Sequence, residues 1–135
     1  MTIAGIQFDK IVVDRTDTPK GKMSVKNNIL IQDLEKKDFS VGQAKQFMLL
    51  YKFEFTAEYE PKIAKIVLNG TVTSIEKEDK IDELVKAWKK DKKLPKEIMT
   101  PLLNNILSKS NVEALILARE VGLPPPIQLP RVTVK

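Results

Sequence analysis

Cysteine and histidine are both absent from this chain of 135 residues. Without cysteine there is no disulfide framework, no thiolate nucleophile and no thiolate metal ligand. Without histidine there is no imidazole base near neutral pH and no imidazole metal ligand. Ser-His-Asp and Cys-His machinery is therefore excluded, although carboxylate and lysine chemistry is not. We expect no metal site, no cofactor, and a protein that binds other molecules without catalysing a reaction on them.

Long apolar runs are also lacking. No stretch approaches the roughly 18 residues that cross a bilayer, so we expect no membrane insertion. The amino terminus lacks the charged-then-apolar order of a secretory signal, and we expect a cytoplasmic location. With 42% hydrophobic and 30% charged residues, the composition is typical of a globular protein. The length fits one domain over residues 1–135.

Strand patterns occupy about residues 3–75. The clearest runs from Gln46 to Glu60, where apolar and aromatic side chains alternate with polar ones at period two. Pro61 ends it, because proline donates no ladder hydrogen bond. Asp38 to Gly42 predicts a break after the second strand. Modest loops between four strands favour an antiparallel sheet, since parallel pairing needs longer crossovers.

Helical spacing takes over at about residues 79–121. Ile81, Leu84 and Trp88 form an apolar stripe that Asp79 can cap. A second helix follows Pro95, and a third is predicted at Ser110, where a capping box with Glu113 is available. The sequence therefore predicts an α+β fold in which two or three helices pack on one face of the sheet.

A proline-rich tail, residues 122–135, ends the chain. Pro124, Pro125 and Pro126 fix φ and remove backbone donors, so an extended segment is expected. Leu123, Ile127 and Leu129 within or beside this segment need apolar cover. With an aromatic strand face, this is more hydrophobic surface than short helices cover, which indicates an oligomer interface or a binding groove.

Two other interpretations are available. The formal charge is +5, and Lys86–Lys93 is a basic run around Trp88, which favours nucleic-acid binding as the alternative function. Because Trp88 also completes an apolar stripe, a core position is preferred and nucleic acid is not the expected partner. Glu54, Glu58 and Glu60 share a strand face, but their lysine and threonine neighbours favour a solvated surface over acid–base catalysis.

The order of elements and the stretch from Leu117 to Val132, LAREVGLPPPIQLPRV, resemble the SecB-type export chaperones. The chain is particularly similar to archaeal SecB-like proteins that end near this point. The resemblance implies an ATP-independent holdase that binds unfolded or preprotein polypeptides, with a link to protein export or, in some relatives, to toxin–antitoxin systems. It also implies a homo-oligomer, either a dimer or a tetramer.

Carried onto this chain, the resemblance places Leu123, Ile127 and Leu129 in a polypeptide-binding groove. Phe39, Val41 and Phe47 are further candidates from the loop and strand opposite. The acidic sheet face by which bacterial relatives dock a translocation motor has no evident equivalent here beyond Glu54, Glu58 and Glu60. The helix that follows their extended segment is also missing. We therefore do not expect docking to an export motor.

Overall fold

The computed structural model describes residues 2–19 and 21–126, in which four strands precede two helices. The strands pair antiparallel throughout, in the order β1-β4-β3-β2, which confirms the predicted α+β class and sheet. Neither helix of the described residues is long and apolar enough to cross a membrane. The elements are β1 (Thr2–Arg15), β2 (Ser24–Val41), β3 (Ala44–Glu60), β4 (Ala64–Ile75), α1 (Glu78–Asp91) and α2 (Lys96–Glu120).

The core lies between one face of the sheet and the two helices. Alternate β3 side chains from Leu49 to Tyr59 are completely buried, as the period-two pattern predicts. Their β4 neighbours are Ile66, Leu68 and Val72, also without solvent exposure. The other face, on which Lys52 lies, is largely polar.

Strand β2 is longer than the sequence predicts. No break occurs at Asp38, because β2 continues to Val41, which pairs with Ala44 across a two-residue turn. Gly42 begins that turn at φ +62°, a conformation that glycine adopts without a steric penalty. Phe39 therefore lies in a strand and not in a loop, which corrects the expectation.

Helix α1 packs its buried Ile81, Leu84 and Trp88 against the sheet, and ion pairs at the β2 edge add to this contact. Lys36 of β2 contacts Asp82 at 2.9 Å and Glu78 at 3.0 Å. The hydrogen bond to Asp82 and, to a smaller extent, the hydrogen bond to Glu78 raise the pKa of Lys36 above its ordinary value. The predicted Asp79 cap is wrong, since the residue at the N-cap is Lys77 and it makes no side-chain cap bond. Asp79 lies in the first turn instead, where a carboxylate complements the helix dipole.

Helix α2 is one continuous helix of 25 residues, so the third helix predicted at Ser110 does not exist separately. Ser110 is fully buried and cannot cap an exposed helix start. Pro101 lies inside the helix near its beginning. Every fourth residue faces the sheet, which gives the buried row Ile98, Leu102, Ile106, Ser110, Ala114 and Ala118.

Gly70 of β4 lies where the β1 backbone and the ring of Phe53 in β3 come close to its Cα atom. A Cβ atom built there would clash with the carbonyl oxygen of Gln7 and would lie 2.7 Å from Cζ of Phe53. Phe53 packs edge-on against Phe8 of β1, with ring centroids 6.2 Å apart. A lone glycine within a strand is typical of such a close contact, and here only glycine leaves room for Phe53.

Candidate binding surface

The described part of the tail, residues 122–126, turns back across the end of the sheet. Gly122 adopts φ +71°, and the Leu123 N–H donates to the carbonyl of Ala118 at 2.8 Å. This 6→1 bond is the one that ends a helix in a Schellman motif, with Gly122 at the C′ position. Leu123 is then buried against the apolar cluster that includes Tyr59.

Side chains from the sheet hold the prolines, which donate no backbone hydrogen bond themselves. The Tyr59 hydroxyl donates to the carbonyl of Pro124 at 2.5 Å, and Asn27 Nδ2 of β2 donates to the carbonyl of Pro126 at 3.5 Å. Burial raises the pKa of Tyr59 to about 12, so the hydroxyl keeps its proton at neutral pH. The tail therefore runs from the end of α2 over β3 towards the β2 edge.

An open cavity lies between this tail and the end of α2. Its volume is about 370 Å³, and its lining is Leu115, Ile116, Arg119, Leu123 and Pro125. Four of these five residues are apolar. Arg119 contacts the carboxylate of Glu120 at 3.7 Å, and both side chains are largely exposed. We call these five residues the tail pocket.

Apolar side chains continue from the tail pocket along the outside of α2. Val112 and Ile116 leave 60% and 45% of their surface exposed, whereas Leu107, 37% exposed, lies about 180° around the helix from Ile116 and belongs to another side of α2. Val112 and Ile116 are one turn apart, so they form a short stripe that faces away from the sheet. Other exposed large apolar side chains among the described residues are scattered over the sheet, at Ile11, Leu30 and Ile75. The outside of α2 is thus where exposed apolar surface is concentrated.

Of the six predicted site residues, only Leu123 lines the tail pocket. Ile127 and Leu129 lie outside the described residues, and so does the side chain of Val41. Sequence reasoning missed Leu115, Ile116 and Arg119 as site residues. Their helical spacing alone does not show which of them a folded tail would approach.

Phe39 and Phe47 lie far from the tail pocket. Twelve residues of β3 separate Phe47 from Tyr59, which is about 40 Å along the strand. The ring of Phe47 is on the helix-covered face, with Lys36 Nζ 5.2 Å from its centroid. Phe39 pairs with Gln46, and paired residues share a face of the sheet. Because Gln46 precedes Phe47 in β3, Gln46 and Phe39 lie on the face opposite to Phe47. The structure does not bring these two aromatic residues together with Leu123.

The three glutamates of β3 are engaged with neighbouring strands. Glu58 lies 3.7 Å from Lys65 and Glu60 lies 3.9 Å from Lys26. Glu54 accepts a hydrogen bond from Gln32 at 3.3 Å, in a position open to solvent. These contacts are those of a solvated sheet surface.

Trp88 lies in the core, as the helical stripe predicts, and is 5% exposed. Lys92 Nζ lies 5.6 Å from the centroid of its ring. Because the ring is covered, it cannot stack on a nucleic-acid base.

Comparison with known proteins supports the fold. No family model matches the chain, and no curated protein matches its sequence. A solved structure of the Mycobacterium tuberculosis Rv1957 SecB-like chaperone, in complex with a ChAD peptide from the Rv1956 HigA1 antitoxin, has a similar fold. The TM-score is 0.52 with 11% identity, covering 99% of this chain and 91% of that one. The chain therefore has a SecB-like fold.

Proposed function

We propose that this chain is an ATP-independent holdase chaperone that binds exposed apolar segments of non-native polypeptides. One observation carries the proposal. The tail pocket and the uncovered stripe of α2 form a continuous apolar surface on a fold like that of a chaperone solved with a bound peptide. No catalytic step is part of the proposal.

The chemistry of this surface fits an unfolded chain better than a small polar ligand. Leu115, Ile116, Leu123 and Pro125 offer burial to apolar side chains without demanding a fixed geometry. The exposed guanidinium of Arg119 supplies donors for the carbonyl oxygens of an extended backbone. Such a surface accepts many sequences, as a holdase requires.

Suppression of aggregation tests the proposal. A chemically denatured model protein is diluted into buffer with increasing amounts of this chain, without nucleotide, and light scattering is followed. We expect scattering to fall in proportion to the chain added and to vanish near stoichiometric amounts. Unchanged scattering at a several-fold excess would rule the holdase function out.

Self-association is a second part of the proposal. Strand β1 is at one edge of the sheet and leaves a row of backbone groups without a neighbouring strand among the described residues. A symmetric antiparallel pair of β1 strands centred on Val12 places Lys10 of one copy opposite Asp14 of the other, twice by symmetry. We therefore propose a dimer formed through β1.

Several finer expectations, which come from the SecB resemblance or, for the location, from the amino-terminal sequence, stay predictions. They are a tetramer built from two such dimers, a cytoplasmic location, an archaeal-type relationship and a link to protein export. The native mass in solution checks the first of these directly. A monomer at micromolar concentration would contradict both the dimer and the tetramer.

A further inference from the structure

The net charge of the chain is concentrated where α1 leads into α2. Residues 86–96 contain six of the 23 basic residues and one of the 18 acidic residues. The remaining 17 basic and 17 acidic residues cancel, so this segment accounts for the whole formal charge of +5. We call it the basic turn; its lysines are Lys86, Lys89, Lys90, Lys92, Lys93 and Lys96.

All six lysines of the basic turn are exposed. None of them makes an ion pair within the part of the chain that the structure describes. By contrast, Lys26, Lys52 and Lys65 on the sheet each have a carboxylate partner. On α1 the lysines lie opposite the buried Leu84 and Trp88, so they point to solvent.

Helix stability explains only part of this charge. Lys89 and Lys90 occupy the last turn of α1, where cations complement the helix dipole. Lys96, however, is the first residue of α2, where the dipole is positive and cations are unfavourable. The N-cap of α2 is Pro95, which supplies no side-chain oxygen, and the acidic residue in the first turn is Glu97, next to Lys96. Glu97 complements the dipole at this end of α2, but none of the six lysines of the basic turn is paired with a carboxylate among the described residues.

The surroundings of the basic turn favour one kind of polyanion. All six exposed large apolar side chains of the described residues lie outside the turn, whereas a surface that docks on anionic membranes normally adds apolar insertion to charge. Trp88 is covered and cannot stack on bases. We propose that the basic turn binds the phosphate backbone of nucleic acid without sequence preference. Six lysines within 11 residues can engage several regularly spaced phosphates at once.

The basic turn and the tail pocket lie towards opposite ends of α2. Nineteen residues separate Lys96 from Leu115, which is about 28 Å of helix. A nucleic acid and a polypeptide can therefore be bound together, and this inference does not depend on the holdase proposal.

Fluorescence anisotropy of a labelled poly(U) RNA of about 30 nucleotides tests the inference, with the full chain titrated at about 50, 100 and 200 mM NaCl. For four to six phosphate contacts the affinity should fall by about 50- to 300-fold over this range, because counterions are released on binding. A mixed-sequence oligonucleotide should bind within a few-fold of poly(U). Affinity that is independent of salt would overturn the inference.

A pair of matched variants locates the contact. Lys89→Glu with Lys93→Glu should weaken RNA binding at least about tenfold and lower the salt slope by about 1.4, as loss of two contacts requires. Lys22→Glu with Lys37→Glu changes the net charge equally, at exposed lysines outside the basic turn, and should retain binding to within a few-fold. Equal loss in both pairs would refute the assignment, as would binding to vesicles containing phosphatidylserine or to polyglutamate with no binding to RNA.

Discussion

Removal of the apolar stripe on α2 should weaken client binding while leaving the chain folded. In the variant Val112→Ala with Ile116→Ala, the side chains lost are those with 60% and 45% of their surface uncovered. Complete burial of a valine or isoleucine contributes about 1.5–3 kcal/mol, so a client that covers both exposed portions gains about that much in total. The expected loss of affinity is about 10- to 150-fold.

The stability of this variant should change less than its affinity. The buried portions of Val112 and Ile116 are lost as well, but alanine recovers roughly 0.5 kcal/mol of helix propensity at each position. Circular dichroism should therefore report an intact fold with a modestly lower Tm.

Binding is best measured by anisotropy of a labelled, reduced and carboxymethylated model protein that cannot refold. The matched control is Leu30→Ala with Ile75→Ala, which removes exposed apolar side chains of the sheet, 55% and 37% uncovered. This control should bind clients normally. Equal weakening in both variants, or in neither, would refute the role proposed for the stripe, and the native mass of each must be unchanged for the comparison to hold.

Three further perturbations test other contacts. Asp14→Lys should dissociate the proposed dimer, and the double variant with Lys10→Asp should form it again, as measured by sedimentation equilibrium. A double variant that stays monomeric would argue against the register centred on Val12. Tyr59→Phe removes the hydrogen bond to Pro124 and should lower the unfolding free energy by about 1 kcal/mol. Folding raises the pKa of Tyr59 from 10.0 to about 12, so its contribution to the unfolding free energy is complete below pH 10 and declines as the pH rises from 10 to about 12. The unfolding free energy of the phenylalanine variant, measured by denaturation at each pH, should lack this decline. Gly70→Ala should destabilise the fold by about 1–3 kcal/mol in urea, since the new methyl group meets backbone, and a neutral effect would contradict the close packing at this glycine.

The sheet could be predicted because each strand carries its own signal. In β3 the alternation from Leu49 to Tyr59 specifies which face is buried without reference to any other element. The length of β2 could not be predicted in this way. Asp38 and Gly42 look like a break, but the pairing of β2 with β3 supplies hydrogen bonds that continue the strand to Val41.

The prediction that a separate helix begins at Ser110 was wrong for a related reason. Ser110 and Glu113 have the spacing of a capping box, yet Ser110 faces the sheet and is fully buried there. Local pattern cannot distinguish a serine that starts a helix from one that lets a helix approach a sheet. For the same reason the sequence does not predict that Ile116 is exposed, because its exposure depends on how α2 is rotated about its axis against β3 and β4.

The sizes of the α2 residues that face the sheet explain why the tail packs beside the end of that helix. The row facing the sheet changes from large residues, Leu102 and Ile106, to the small residues Ala114 and Ala118. Small residues let a helix approach a sheet closely, and the space that remains beside it is filled by Leu123 of the tail. Ile116, two residues beyond Ala114, then points away from the sheet and meets too little of the tail to be covered. Stability alone would favour a polar residue there, so an apolar residue at this position favours an external partner for the stripe.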